Sequence, residues 1–377
     1  MGTASAAVEA PQALPSVSGA WAGWRDFRIL SRQYEDSSQT QCSLRLEPID
    51  RAPLPAFQPG QFLTFALPVA SGRTLTRCYS LSDGPDSRGY RITVKRVPAP
   101  AGRPDLPPGA GSSYFHDRIR IGDVVKVKAP AGHFVLSPGI EIPIVLIGGG
   151  IGITPLLSML RGGLAAHSKA AVHLYHGVRN GSEQAFREEL EALAREYPAF
   201  HLNLVYSQPG PGDILGRHYR YKGHIDVHLL RNTLPAGRHR FYLCGPPALM
   251  SSLLPALMEW GVPSEDIHYE AFGPASARSA TLSAREKDDP VTAPIEILFR
   301  KSGRTLTWDG KDVSLLDFTE RHGLFLESGC RTGNCGACEV KLLSGTVRYA
   351  EKPDHEITPG HCLLCVGTPN GPLEIDA

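Results

Sequence analysis

Five of the eight cysteines in this 377-residue chain fall between Cys330 and Cys365, and their spacing restricts what the C-terminal part can fold into. The run Cys330-Arg331-Thr332-Gly333-Asn334-Cys335-Gly336-Ala337-Cys338 is followed, after 26 further residues, by Cys365. This is the C-x4-C-x2-C…C spacing by which four thiolates hold a [2Fe–2S] cluster. The small residues between the thiolates let the loop wrap closely and aim backbone amides at sulfur, which tunes such a centre. A second pattern overlaps the first. Cys335 with Cys338 and Cys362 with Cys365 form two C-x-x-C pairs, as structural zinc sites do. That pairing leaves Cys330 without a role, and its 23 intervening residues exceed the roughly 15–20 of a zinc ribbon. In the cluster reading Cys362 is a core or near-cluster thiol. Either way the clustering points to metal binding in a reducing compartment rather than to disulfides, and the cytoplasm is the expected location.

The rest of the chain is too long for one hydrophobic core, so several domains are expected. Residues 1 to 20 are rich in Ala, Ser, Pro and Gly and are expected to be a disordered tail. From 21 to 138, short alternating runs such as Phe27 to Leu30, Gln61 to Leu67 and Tyr90 to Arg96 are separated by Pro and Gly turns, the pattern of an antiparallel β-barrel. From 139 to 275, apolar strands (IVLI, VHLYHG, LNLVYS, RFYLCG) alternate with helical stretches, which implies an α/β domain with a parallel sheet. Residues 276 to 293 have no large apolar period and are expected to form a linker, along which the last unit swings. Residues 294 to 377 form a third, α+β unit, with a hairpin from IEILFR and RTLTW and a capping box of Ser314 and Asp317 opening a helix. The apolar run from Ile140 to Leu160 approaches membrane-spanning length, but its prolines and glycines fit a strand, a turn and a helix start instead, so no membrane insertion is expected. A net charge of +1 gives no basic stripe, which argues against nucleic acid.

Several motifs carry chemistry. Gly148-Gly149-Gly150-Ile151-Gly152-Ile153-Thr154-Pro155 follows a strand and opens a helix, so its amides can approach a pyrophosphate; by itself it is equally a tight connection. Cys244-Gly245-Pro246-Pro247 ends another strand in a stiff turn at the sheet's carboxyl edge, where ligands of open parallel sheets sit. Cys244 on its own is just as well a buried small hydrophobe. Arg77-Cys78-Tyr79-Ser80 offers a cation, an aromatic plane and a hydroxyl, suited to a phosphate and a heteroaromatic ring, and Gly111-Ser112-Ser113 is a polar turn or a phosphate cradle.

With RCYSLSDGPDSRGYRITVKR, GAGSSYFHD, LIGGGIGITPLLSML, YLCGPPALM and HYEAFGP in one order, residues 21 to 275 resemble the ferredoxin-NADP reductase-like superfamily, in particular the reductase portion of flavohaemoglobins. The last 84 residues resemble a plant-type ferredoxin of β-grasp fold, so the whole chain is similar to the phthalate dioxygenase reductase and phenylacetyl-CoA epoxygenase reductase groups. That resemblance implies a flavin, an NAD(P)H donor and a [2Fe–2S] cluster on Cys330, Cys335, Cys338 and Cys365. It implies Arg77 and Ser112 at flavin phosphates, Tyr79 and Phe272 on the two faces of the ring, Ser80 near its N5, and backbone contacts from Val94 and Lys95. It further implies Gly149, Gly150, Gly152, Thr154 and Gly245 around the nicotinamide nucleotide, with Cys244 beside the nicotinamide; Ser80, Cys244 and Phe272 are the expected catalytic set. The flavohaemoglobin-like barrel motif favours FAD, whereas the phthalate dioxygenase reductase group uses FMN, and both stay open. No globin segment lies ahead of residue 21 in this sequence, so nitric oxide dioxygenation, which needs haem, is not expected.

Nicotinamides give up electrons in pairs and a [2Fe–2S] centre takes them singly, while a flavin does both. The expected activity is therefore electron transfer from NAD(P)H to a separate one-electron redox protein, a Rieske-type or diiron oxygenase component. The alternatives are a reductase for a hybrid-cluster or other redox protein, and a flavin reductase carrying a zinc-held interaction module. NADH is expected over NADPH, because LNLVYS ends in Ser207-Gln208 rather than a Ser-Arg pair, leaving Arg179 as the remaining phosphate partner.

Overall fold

The computed structural model describes residues 20–68, 74–85, 89–100, 102–137, 139–165, 170–272, 294–350, 352–353 and 355–377. The expected tail, apart from residue 20, and the expected linker with its swinging motion lie outside the described residues.

The first sheet is antiparallel. It contains β1 (Arg25–Tyr34), β2 (Gln41–Pro48), β3 (Phe62–Pro68), β4 (Thr74–Ser80), β5 (Tyr90–Lys95) and β6 (Val124–Ala131), in the spatial order β4-β3-β6-β1-β2-β5. A bridge between Leu81 and Ile92, with the Ser82 amide donating to the Arg91 carbonyl at 2.8 Å, joins the two edges and closes the barrel. Closure removes the unpaired edges that an open sheet would present. Phe27, Leu44, Leu63, Phe65, Ile92 and Val127 alternate inward and fill its core. The short helix α1 (Ala110–Ser113) runs on into a wider turn at Tyr114–Arg118 beside β4.

The second sheet is parallel. It contains β7 (Ile144–Gly149), β8 (Val172–Val178), β9 (Phe200–Tyr206), β10 (Tyr221–Lys222), β11 (Arg240–Gly245) and β12 (Ile267–Ala271), in the order β10-β9-β8-β7-β11-β12. The helices α2 (Ile153–Ala165), α3 (Arg187–Glu196), α4 (Val227–Thr233) and α5 (Pro247–Glu259) complete the unit, with separate apolar cores on the two sheet faces. The chain steps outward from β7 to β10 and then returns to the other side of β7 as β11. The crevice beyond the carboxyl ends of β7 and β11 is therefore the topological switch point, where ligands of such sheets bind. The segment from Ile140 to Leu160 holds β7, a tight turn and the start of α2, as its prolines and glycines predict. Among the described residues no helix is long and apolar enough to cross a membrane. One boundary differs from the sequence pattern. The helix read in AFREELEALAREY begins only at Arg187, because Phe186 sits at φ 57°, a left-handed conformation that interrupts the helical hydrogen bonding, with its ring buried under the Arg91 guanidinium at 5.2 Å.

The third unit pairs β13 (Ile295–Phe299), β14 (Arg304–Trp308), β15 (Glu339–Ser344), β17 (His361–Leu363) and β19 (Leu373–Ile375) in the order β14-β13-β19-β15-β17, with β16 (Val347–Tyr349) against β18 (Gly367–Pro369). Its sheet grasps α6 (Leu315–Arg321), whose Leu315, Leu316 and Phe318 pack into the core with Trp308 and Phe299. Ser314 caps α6. Its hydroxyl accepts from the Asp317 amide at 3.2 Å and donates to the Asp317 carboxylate at 2.7 Å.

Candidate active site

Sequence, strand register and loop chemistry bring residues of all three units to one cavity of about 410 Å³. From the barrel it is lined by Phe62, Cys78, Tyr79, Ser80, Thr93, Lys95, Arg96, Val97 and Pro98; from the parallel-sheet unit by Ile151, Thr154, Glu270 and Phe272; from the third unit by Gly329, Cys330 and Thr332. Six of the sequence-predicted site residues thus meet there: Tyr79, Ser80, Lys95, Thr154, Phe272 and Cys330.

On β4, side chains alternate across the strand. Tyr79 packs edge-on against Phe65 and Phe115, at 5.7 and 5.1 Å between ring centres, and burial pushes its phenol pKa up, so it stays neutral. Ser80 is buried and donates to Glu270 Oε2 at 3.3 Å. Glu270 stands outside the residues that the sequence motifs single out. Its signal was present in HYEAFGP as the one acidic side chain between apolar strand residues, two places before Phe272. Burial pushes the Glu270 carboxyl up to about 8 despite the Ser80 hydrogen bond, so near neutral pH it holds a proton. Arg77 donates to the Thr76 carbonyl at 2.7 Å and across to the Ser328 carbonyl of the third unit at 3.2 Å. Gly111 lies against it, where an added Cβ would stand 2.8 Å from the Tyr79 hydroxyl and 3.1 Å from Arg77 Cγ. Ser112 is occupied locally, accepting from the Val97 amide at 3.1 Å and donating to the Gly109 carbonyl at 2.9 Å. On β5, Val94 is buried with its carbonyl bonded to His116 Nε2 at 2.9 Å, and Lys95 reaches Glu183 at 3.5 Å.

At the switch point the glycines do different work. Gly150 has φ +53° and faces open space, the nearest atom to an added Cβ being Lys95 Nζ at 3.9 Å. Gly149 and Gly152 instead permit close packing, since a Cβ on Gly149 would meet Pro246 at 2.6 Å and one on Gly152 the Cys244 carbonyl oxygen at 2.2 Å. Gly245 lies against Gly149, with the Gly149 nitrogen 3.0 Å from its added Cβ. Beneath the loop, fully buried His176 bonds through Nε2 to the Gly150 carbonyl at 3.1 Å. Burial holds that imidazole down at about 4, so it is neutral and donates this bond. Thr154 donates to the Ile151 carbonyl at 3.1 Å. Cys244 is fully buried within the core that Phe272 flanks, and burial raises its thiol pKa well above the usual value. Its register partners are Gly148 and Glu270.

The cysteine loop wraps as the spacing requires, with Arg331, Gly333 and Gly336 at φ 60°, 78° and 73°. Cys330 Sγ accepts from the amides of Thr332, Asn334 and Cys335 at 3.4, 3.3 and 3.3 Å; Cys335 Sγ accepts from the Cys330 amide at 3.2 Å, and Cys338 Sγ from the Cys365 amide at 3.4 Å. Amides converging on sulfur stabilise bound thiolates, so these residues fit an iron–sulfur cluster. Cys362 pairs with Val340 in the β15–β17 ladder and packs in the apolar core.

A closed antiparallel barrel, a parallel sheet with a glycine-rich switch point and a four-cysteine loop around one cavity define an oxidoreductase with flavin, nicotinamide and iron–sulfur modules. The chain belongs to the ferredoxin-NADP reductase-like flavoproteins, with a C-terminal ferredoxin domain. Family models match as the oxidoreductase FAD-binding domain at residues 35–136, the oxidoreductase NAD-binding domain at 146–253 and the 2Fe-2S iron-sulfur cluster binding domain at 299–370. The cofactors of the chain are accordingly FAD, a nicotinamide dinucleotide and a [2Fe–2S] cluster. The flavohemoprotein of Rhizobium meliloti (strain 1021) is 40% identical over 68% of this chain and 62% of its own length, so the chain spans about three fifths of the curated relatives it matches. Among solved structures, the FAD/NAD-binding domain of nitric oxide dioxygenase from Vibrio cholerae is 32% identical with a TM-score of 0.58, covering 66% of this chain and 99% of that one. A phthalate dioxygenase reductase is 26% identical with a TM-score of 0.57, covering 94% of this chain and 98% of its own.

Proposed function

We propose that this chain oxidises NADH and delivers single electrons to a separate redox protein, the oxygenase component of a Rieske-type or diiron system. The observation that carries the proposal is that Cys330 lines the same cavity as Tyr79, Ser80, Thr154 and Phe272, so donor, relay and exit modules meet without an intervening layer of protein. Likeness to a phthalate dioxygenase reductase along nearly the whole chain supports it. When bound, FAD supplies the chemistry that converts a hydride pair into single electrons.

The residues would then act by holding and orienting. Tyr79 and Phe272 offer apolar faces for the two sides of a planar ring. Arg77 and Ser112 would meet phosphate, and Val94 and Lys95 would offer backbone groups. Gly149, Gly150, Gly152, Thr154 and Gly245 would admit the nucleotide backbone at the switch point, with His176 fixing the Gly150 carbonyl. Protonated Glu270 and the Ser80 hydroxyl form a hydrogen-bonded pair facing the cavity, where they hold a proton at Glu270. Cys244 would back the nicotinamide position as a neutral thiol. Cys330, Cys335, Cys338 and Cys365 would hold the cluster.

The test is a pair of variants read with two acceptors. Cys330→Ser loses iron and cytochrome c reduction and keeps ferricyanide reduction, which needs only the flavin; Cys362→Ser keeps both. If Cys362→Ser empties the site and Cys330→Ser does not, the cluster assignment falls. For the donor, Arg179 is paired to Glu183 at 3.2 Å and is largely exposed, and the amides of Ser207 and Gln208 are spent on the Val178 and Arg179 carbonyls. An Arg179 already facing a carboxylate makes a poor partner for a 2′-phosphate, whose bidentate arginine contact is worth on the order of 1.5–3 kcal/mol. NADH therefore shows the higher kcat/KM, and a preference for NADPH that collapses in Arg179→Ala would reverse the assignment.

A further inference from the structure

Cys78 has no part in that reading, yet it stands where the barrel meets the cysteine loop. It lies on β4 between Arg77 and Tyr79, half-buried, with its sulfur 3.4 Å from the Thr64 hydroxyl, and it is a near neighbour of Cys335 at the edge of the cavity that Cys330 also lines. A second barrel group converges on the same residue: Lys128 on β6 donates through Nζ to the Cys335 carbonyl at 3.0 Å. Thr76 and Arg77 complete the contact through Glu327, at 3.3 Å, and the Ser328 carbonyl.

A thiolate bound to iron has no proton to give, so toward the cluster sulfurs Cys78 can act only as a donor. The Thr64 hydroxyl is free to donate to the Cys78 sulfur from the other side. Reduction of a cluster adds negative charge, and donors or cations beside its sulfurs stabilise the reduced form and raise the potential. We propose that Cys78 and Lys128 of the barrel tune the iron–sulfur centre through Cys335, raising its potential while the two units are in contact. They are positioning residues rather than catalytic ones. Because both groups belong to the barrel, the tuning is a property of the contact between the two units. The inference rests on the cluster assignment above.

The test is an EPR-monitored redox titration of the full chain loaded with FAD and cluster, with the flavin potential followed by absorbance in the same samples. Cys78→Ala shifts the cluster midpoint to more negative potential, by more than it moves the flavin midpoint. Cys78→Ser, which retains an O–H donor, recovers most of the shift, and Lys128→Gln moves the cluster in the same direction as Cys78→Ala. An unchanged cluster midpoint in Cys78→Ala overturns the proposal, as does an equal shift of both midpoints or a Cys78→Ser variant no different from Cys78→Ala. A wild-type chain that takes up no cluster at all would instead overturn the electron route itself.

Discussion

The side chain that most separates this site from an ordinary cleft is Glu270. Its carboxyl ionises near 4.5 in an unfolded chain and near 8 in the folded one. Across that window the folded state keeps a proton that the unfolded state has lost, so its contribution to stability is complete below about pH 4.5 and disappears as pH rises through about 8. Glu270→Gln cannot ionise. The variant therefore loses less of its melting temperature than the wild type does between about pH 5 and about pH 8.5, and equal losses in both would show that the carboxyl is not held neutral. Glu270 could not be found from spacing alone. Strand periodicity marks it only as one position on an edge strand, and its importance comes from a contact with Ser80, 190 residues away. The iron–sulfur unit was legible because its cysteine spacing is local to one loop and one later strand end, and local spacing fixes geometry. Cys244 was only half legible. Its place at the end of β11 follows from the apolar run, but which way its thiol faces is decided by packing against α2, and the sequence does not carry that.

Among the elements, the link from β7 to α2 shows how glycines that look alike in sequence differ in task. At Gly152 a methyl group would collide with the Cys244 backbone, which cannot swing aside as a side chain can. Gly152→Ala should cost about 1–3 kcal/mol of stability, the usual range for overpacking, and weaken NADH binding with it. At Gly150 there is room, and the cost of alanine is the left-handed backbone, about 1–2 kcal/mol. Thermal unfolding and NADH titration of both variants check this, with Gly152→Ala expected to bind NADH more weakly than Gly150→Ala; the reverse order would mean that the loop rather than its packing on β11 controls binding. The motif made the turn legible, and Ser314 with Asp317 made the start of α6 legible, because capping and glycine-rich turns are decided by neighbours along the chain. The delayed start of α3 was not, since Phe186 adopts its left-handed conformation to place its ring beneath an arginine of another sheet.

For the whole molecule, the decisive feature is how the barrel and the parallel-sheet unit are joined. Asp83 takes Arg45 and Arg161, each at 3.0 Å; Arg161 continues to Glu189 at 2.6 Å, and Glu189 to Arg91 at 3.0 Å. Asp83 and Arg91 are nearly closed to solvent, their side chains 3% and 7% exposed. Removing one partner from such a chain leaves a buried charge unpaired, so Glu189→Ala should cost about 3 kcal/mol and lower the rate of ferricyanide reduction by loosening the alignment of the two units. A variant with wild-type melting temperature would show that the network carries no such weight. Ions closed off from water also lie beyond the reach of dissolved counterions, whose screening acts within about 8 Å at physiological strength and falls mainly on exposed pairs. Raising the ionic strength should therefore act on the junction mainly at half-exposed Arg161 and Arg45 and leave the buried Arg91–Glu189 pair holding the flavin and nicotinamide units together. Under the proposed function, delivery of the electron to a partner that finds the surface by diffusion has no such shelter, so the salt content of the surroundings would set the pace of the output while the input runs on.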